Sequence, residues 1–301
     1  ALVRWVDRQG VKVRTNSPVD RLLIDSGNVC GVEAGGHAIE GSTVILATGG
    51  ASYPATGSSG DGYRFATDAG HTVVEPRAAL VPLETKEPIP RGLAELTLRN
   101  VRVEVILDGK CADTQFGELT FMTFGVSGPV ILTASGRIVD ALRAGKNVVL
   151  SIDLKPALSE QKLENRLLRD FASRGTEPMR SVLRGLMPKP LVHPCLSAIG
   201  IQGHRTGSSI KADERKRLLT WLKDFRVTVK APRPLSEAIV TAGGVDMKEV
   251  DPRTMESRLV KGLYLAGELL DVYADTGGYN LQAAFSTGWL AGRSAGDRED
   301  A

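Results

Sequence analysis

GLYLAGELLDVYADTGGYNLQAAFSTGWLAGRSAG, residues 262 to 296, decides how the rest of the chain is read. Leu263-Tyr264-Leu265-Ala266 is a short apolar run with the pattern of a buried strand, and it breaks at Gly267-Glu268, with Asp271 close behind. Thr276-Gly277-Gly278 then opens a helix whose apolar positions include Leu281, Ala284, Phe285 and Leu290. Glycines at a strand end and a helix start let backbone N–H groups come close to a ligand. A helix start also aims its unpaired N–H groups and positive dipole end at whatever binds there. Ala266-Gly267-Glu268 alone is an ordinary strand-to-loop turn. The full string, with an acid three residues on and Thr-Gly-Gly-Tyr-Asn before a small-residue helix, is hard to obtain from packing needs alone.

A second stretch, TVILATGGASYPATGSSGDG at 43 to 62, matches the first in kind. Thr43 to Ala47 reads as a fully buried strand. It runs into Ala47-Thr48-Gly49-Gly50, small residues at the carboxyl edge of a sheet, where ligands bind in open α/β folds. The two stretches together read as halves of a flavin site.

Between and around them the chain alternates texture. A helix ending at Gly10 is followed by strands predicted at Val11–Val13 and Val19–Ile24, with further short strands about Gly35-Gly36. A helix from Asp61 to Ala69 closes at Gly70. Pro82, Pro88 and Pro90 mark a change, after which strands at 101–107, 117–124 and 147–153 mix with helices at 129–142, 159–174 and 213–223. Ser159 and Asp213 are the predicted helix caps, and Leu163, Leu167, Leu168 and Phe171 form a predicted apolar stripe. Pro188, Pro190 and Pro194 punctuate short helical pieces, and Pro232 and Pro234 mark the return. The organisation expected is a nucleotide-binding domain in two parts, 1–83 and 233–301, the FAD-binding domain of the resemblance given below, interrupted by an inserted substrate or partner domain at 84–232.

At 301 residues the chain is long enough for two cores. Its 42% hydrophobic and 24% charged content are those of a globular protein, and no apolar run approaches a membrane span. Three widely spaced cysteines, Cys30, Cys111 and Cys195, form no CxxC; they point to a reducing, cytoplasmic setting, each read as a buried small hydrophobe. Residues 84 to 232 hold 24 Lys and Arg against 16 Asp and Glu, a basic surplus absent from the flanks. Such a surplus is either a solvated face or a contact for anions or RNA.

The strings ATGG-x-SYP-x-TGSSGDGY, ALVPLE, FGVSGP, VTAGGV and GLYLAGELLDV-x-x-x-TGGYNLQ occur in order along essentially the whole chain. In these it resembles the BaiN/YhiN-type FAD-dependent oxidoreductases. The resemblance implies an α/β, two-dinucleotide-binding-domain-type FAD fold, interrupted by a β-barrel-like domain with helices. Carried over residue by residue, it places the Val19 backbone beside the adenine and Ala47, Thr48 and Gly49 along the ADP half. It sets Gly267, Glu268 and Asp271 at the pyrophosphate and ribityl chain, and Gly278, Tyr279, Asn280 and Leu281 at the isoalloxazine edge. Asp271, repelled by phosphates, is expected on a ribityl hydroxyl, so Asp271→Ala should weaken FAD binding. A polarised helix tip at Thr276 suits the negative charge of a reduced flavin, at about 0.3–1 kcal/mol exposed and up to ~2 partly buried.

The family opens with a strand, a GxGxxG turn and a helix, and no such string occurs in these residues. The expectation is therefore an N-terminal truncation, on the order of 100 residues by the size of that unit, that binds FAD weakly or not at all. No second fingerprint exists for a nicotinamide, so any NAD(P)H is expected to dock transiently at the flavin. General acids and bases are thinly represented: His71 reads as a cap or surface residue, and Thr123 stands where the family often carries a histidine or other polar group. Catalytic residues stay unassigned. The reaction expected is hydride transfer between flavin and an unsaturated or amine-bearing substrate: an rRNA uridine, an enone steroid or a small amine. The rivals are a nucleic-acid-binding module with a vestigial flavin site, and an incomplete folding unit with an open sheet edge.

Overall fold

A computed structural model describes residues 2–89 and 91–299. Helix α1 (Leu2–Arg8) precedes a three-stranded antiparallel meander, β1 (Val19–Asp25), β2 (Asn28–Ala34) and β3 (His37–Glu40). Its two hairpins turn on Ser26-Gly27 (φ 49° and 79°) and Gly35-Gly36 (φ 58° and 75°). Two successive positive φ values give the turn whose twist matches the strands it joins. Val11 and Val13 form no strand; they are 56% and 63% exposed, since alternation without a pairing partner yields no ladder.

Strand β4 (Val44–Leu46) leads through a glycine-rich loop to α2 (Asp61–Asp68) and β5 (Val73–Ala79). The next strands, β6 (Leu83–Thr85), β7 (Thr97–Leu107), β8 (Lys110–Met122) and β9 (Gly125–Ser127), are followed by α3 (Pro129–Arg143) and β10 (Val148–Asp153). Four helices come next: α4 (Glu160–Ser173), α5 (Met179–Val182), α6 (Lys189–Ile199) and α7 (Ala212–Lys223). Strand β11 (Phe225–Pro232) returns the chain to β12 (Val240–Val245), β13 (Leu263–Leu265) and α8 (Tyr279–Glu299).

Strands β10-β11-β6-β9-β8-β7 close into a barrel in that order. Val101, Val103 and Val105 face inward while Arg102 between them is exposed, the period of two that a barrel wall requires. The buried side chains of this region, from Leu83 to Val229, form one continuous cluster with α3 and the helical segment. A second cluster gathers Val29, Leu46, Phe65, Val245 and Leu263–Ala266 with Ala291 and Ala295. A small third cluster, Ala78, Val81, Val139 and Ala238, lies where the chain leaves and re-enters the barrel region.

Local details depart from the sequence pattern in instructive ways. Ser159 does cap α4, accepting from the Lys162 N–H at 3.3 Å, but Leu168 is 45% exposed because the stripe faces through Leu163, Leu167 and Phe171. Asp213 caps nothing: Lys211, two residues earlier, is the N-cap of α7, and Glu214 accepts from its N–H at 2.8 Å. Pro194 sits inside α6 instead of breaking it. Cys30 and Cys111 are exposed; only Cys195 is buried, and burial pushes its thiol up to about 12.

Candidate active site

Strands β4 and β13 run parallel, Leu263 beside Val44, Tyr264 beside Ile45 and Leu265 beside Leu46, so the two glycine-rich stretches open at the same sheet edge. All of β13 is buried. Ile45 is 40% exposed, so β4 is not the fully buried strand its composition suggests: β13 is its only ladder partner among the described residues.

On the β4 side a cavity of about 360 Å³ is lined by Val19, Leu46, Thr48, Gly57, Ser59 and Asp61. The Thr48 hydroxyl oxygen beside it is buried with no hydrogen-bond partner among the described residues. An orphaned hydroxyl of this kind is costly and calls for a polar ligand. Gly62 makes room for it; a Cβ there would lie 2.0 Å from Thr48 Oγ1 and 2.8 Å from Leu269 Cδ1. The residue is glycine because α2 starts hard against the loop.

On the β13 side a second cavity, about 450 Å³, is lined by Gly267, Glu268, Thr276, Gly278, Asn280 and Leu281, with Ala284 and Thr287 behind. The helix begins where Gln282 N–H donates to Gly278 O at 3.0 Å, which leaves the N–H groups of Tyr279, Asn280 and Leu281 without intrahelical acceptors by the geometry of a helix start. Asn280 fastens the preceding loop: its Oδ1 accepts from Ala274 N–H and its Nδ2 donates to Ala274 O, both 2.8 Å. Gly267 N–H donates to Thr287 Oγ1 at 2.9 Å, tying the strand end to α8.

Glu268 has a structural task that its neighbours reveal. Its Oε1 accepts from the Thr241 N–H at 2.5 Å and from the Ser52 hydroxyl at 3.1 Å. Thr241 Oγ1 in turn accepts from the N–H groups of Ala51 and Ser52, at 2.9 and 3.0 Å. Gly50 must be glycine here, since a Cβ would fall 2.5 Å from Thr241 Oγ1 and 2.9 Å from Glu268 Oε1. One carboxylate therefore joins the loop after β4, strand β12 and the turn after β13. Sequence reasoning gave Thr241 and Ser52 no role; the VTAGGV string containing Thr241 was visible, but its contact with Glu268 spans 27 residues.

Burial, and then the nearby Glu268 charge, push the Tyr63 phenol up to about 12, and Asp271 adds to the rise. Arg77 is raised by its hydrogen bond to Asp140, with smaller help from Tyr273 and Asp271, and its guanidinium stands 5.9 Å from the Tyr273 ring centre. Tyr273 reaches α3, where a Cβ on Gly136 would touch its hydroxyl at 3.0 Å. The barrel helix thus borders the loop that leads to the α8 tip.

The structure gathers Gly267, Glu268, Gly278, Asn280 and Leu281 around one cavity, and Val19 and Thr48 around the other. Ala47, Gly49, Asp271 and Tyr279 line neither of these two. The α8 stripe holds only in part: Leu290 packs partly buried against the second cluster and Ala284 is half-buried, but Leu281 and Phe285 are 64% exposed and Ala291 and Ala295 are the buried positions. Small side chains let the helix sit close on β13, and Leu281 and Phe285 rotate outward. His71 is not a surface residue either. Ser257 Oγ accepts from the N–H groups of Leu259 (3.1 Å) and Val260 (2.9 Å), so it donates to His71 Nε2 at 2.8 Å; Nδ1–H then donates to Glu249 at 3.2 Å. Burial lowers the imidazole's pKa, partly offset by Glu249, whose carboxyl is held low first by the Thr72 N–H. The histidine is a satisfied fastening between α2 and the segment before β13.

Among the described residues no group of three or more His, Cys, Asp or Glu could hold a metal ion, and no helix is long and apolar enough to cross a membrane. A parallel strand pair whose glycine-rich ends open onto two cavities, one below a helix start and one beside an orphaned hydroxyl, defines a Rossmann-like α/β nucleotide-binding protein. The chain belongs to the HI0933-like family: the model of the HI0933-like protein Rossmann domain matches residues 1–294. It is a flavin-dependent oxidoreductase of that family. It is 33% identical over 291 residues to the 3-dehydro-bile acid delta(4,6)-reductase of Clostridium scindens, covering 97% of this chain and 71% of the relative. It is 31% identical over 288 residues to the ribosomal RNA dihydrouridine synthase of Escherichia coli, covering 96% and 69%. The ribosomal RNA dihydrouridine synthase of Haemophilus influenzae is 30% identical over 291 residues, with the same coverage.

Proposed function

We propose that the flavin is FAD, held with its ADP half in the Val19–Thr48 cavity and its ring against the α8 tip. The orphaned Thr48 hydroxyl carries this reading, because a ribose or phosphate oxygen is the partner it lacks. When bound, FAD supplies the hydride chemistry. The protein's own part is positional and electrostatic. The unpaired N–H groups of Tyr279, Asn280 and Leu281 present positive potential to the electron-rich ring edge, worth about 1 kcal/mol in a partly buried site. Glu268, Thr241 and Ser52 fix the loop after β4 so that Thr48 keeps its position. Asp271 meets a ribityl hydroxyl, and Ala47, Gly49 and Tyr279 complete the contact as the bound molecule spans the two cavities.

The electron donor is NAD(P)H docking transiently at the exposed ring face. The substrate carries a carbon–carbon double bond conjugated to a carbonyl, which a uridine and an enone steroid share; the names of the relatives support that class. Residues 84–232 act as an inserted domain that presents the substrate, a reading supported by their separate buried cluster and basic surplus. The unpaired cysteines support action in a reducing, cytoplasmic setting.

The test uses the natural full-length protein titrated with FAD and followed by flavin fluorescence. Gly278→Val, which bars the ring from the helix start, is expected to weaken binding at least tenfold. Parent-like FAD affinity in Gly278→Val overturns the placement. Separate incubations with NADPH and either unmodified rRNA or an enone steroid then show which substrate is consumed.

A further inference from the structure

From Pro178 to Ala212 the chain carries no Asp or Glu, against five Lys or Arg and two His. This run builds a surface cleft of about 590 Å³ between α5, α6 and the loop that follows α6. Its rim carries Arg180, Arg184, Lys189, His193 and His204, all exposed, over a buried apolar floor of Val192, Leu196 and Ile201. No carboxylate lines it.

Five arginines of the same helical region, Arg166, Arg174, Arg205, Arg215 and Arg217, each hold a carboxylate. Glu177, the nearest acid before the run, is already taken by Arg174 and Ser181. Arg180, Arg184 and Lys189 make no ion pair with any described residue. Lys162, Arg169, Lys211 and Lys216 are in no ion pair with a described residue either, but none of them lines this cleft, where the free cations are gathered on one rim. Backbone hydrogen bonds tie the walls together: Arg180 N–H donates to Gly203 O at 3.1 Å, Met179 N–H to Arg205 O at 2.7 Å, and Ile201 N–H to Leu196 O at 2.9 Å. Gly200, at φ 71°, ends α6 and reverses the chain so that Gln202–His204 face Arg180 across the cleft.

We propose that this cleft docks the phosphodiester backbone of RNA. Cations left unpaired on an open rim suit a polyanion that crosses it, since each phosphate neutralised releases condensed counterions. The Arg180 and Arg184 forks, four residues apart on one wall, match phosphate oxygens bidentately, and the apolar floor accommodates a sugar edge. The site is separate from the flavin cavities and shares no residue with them. It extends the RNA reading of the substrate but is tested without it.

The experiment is fluorescence anisotropy of a labelled 20-nucleotide RNA with the full chain over a salt series; it needs neither flavin nor turnover, so its failure is distinct from failure of the flavin reading. Arg180→Gln/Arg184→Gln/Lys189→Gln should lower affinity about a hundredfold at 0.1 M salt and reduce the log–log salt slope by about two, three contacts at ~0.7 each. The control Lys12→Gln/Lys110→Gln/Lys146→Gln, also exposed, should bind as the parent does. Unchanged affinity in the cleft variant, an equal loss in the control, or equally effective competition by polyglutamate overturns the proposal. Circular dichroism melts of both variants, expected to match the parent, separate lost binding from lost folding.

Discussion

Replacing Glu268 with alanine probes the site's framework directly. The carboxylate accepts from the Thr241 N–H at 2.5 Å and the Ser52 hydroxyl at 3.1 Å, and Thr241 is 1% exposed. A hydrogen bond to a charged acceptor contributes about 1.5–3 kcal/mol, and the half-burial of Glu268 argues for the lower end. Two such bonds give ~3 kcal/mol for Glu268→Ala, with the Thr241 N–H left unpaired inside the fold. Glu268→Gln keeps an acceptor oxygen and loses only the charge assistance, so it should cost ~1 kcal/mol. Urea unfolding in the absence of flavin measures both. At ~2 °C per kcal/mol for a chain of this length, the alanine variant should also melt about 6 °C lower. A Glu268→Ala protein within ~0.5 kcal/mol of the parent would refute the framework role and return Glu268 to a purely ligand-facing one.

Two further perturbations separate stability from binding. Thr48→Val replaces the orphaned hydroxyl with a methyl of similar shape, so the flavin-free protein should be at least as stable as the parent while FAD affinity falls about fivefold, the worth of one ~1 kcal/mol hydrogen bond; a joint loss of stability and affinity would contradict this. His71 is buried with its folded pKa below the ordinary value near 6.5, so the unfolded chain takes up the proton first. Its contribution is complete above about pH 6.5 and is lost as the pH falls through the folded-state value; Glu249, also lowered, adds a second loss below about 4.3. Unfolding free energies measured at pH 7.5 and 5.5 should fall in the parent and converge in His71→Ala, which costs about 2 kcal/mol at the higher pH by removing the acceptor of the Ser257 hydroxyl and one donor to Glu249, whose bonds to Thr72 remain.

The sequence by itself settled the elements whose cause is local. Buried Leu263-Tyr264-Leu265, the Gly277-Gly278 entry to the last helix, the glycine hairpin turns and the Ser159 cap follow from hydrophobic runs, positive-φ needs and short-range hydrogen bonds within a few residues. The ordered strings at 43–62 and 262–296 also carried the family, because such spacing has no packing explanation. Tertiary structure alone decided which face of α8 is buried, since Leu281 and Phe285 have helical spacing like Ala291 and Ala295 and only the small pair lets β13 approach. It alone gave Glu268 its partners, took His71 from the surface into the interior, and left Thr48 without one. Each of these depends on contacts across 27 to 216 positions of chain, and no local period or propensity encodes a meeting at that distance.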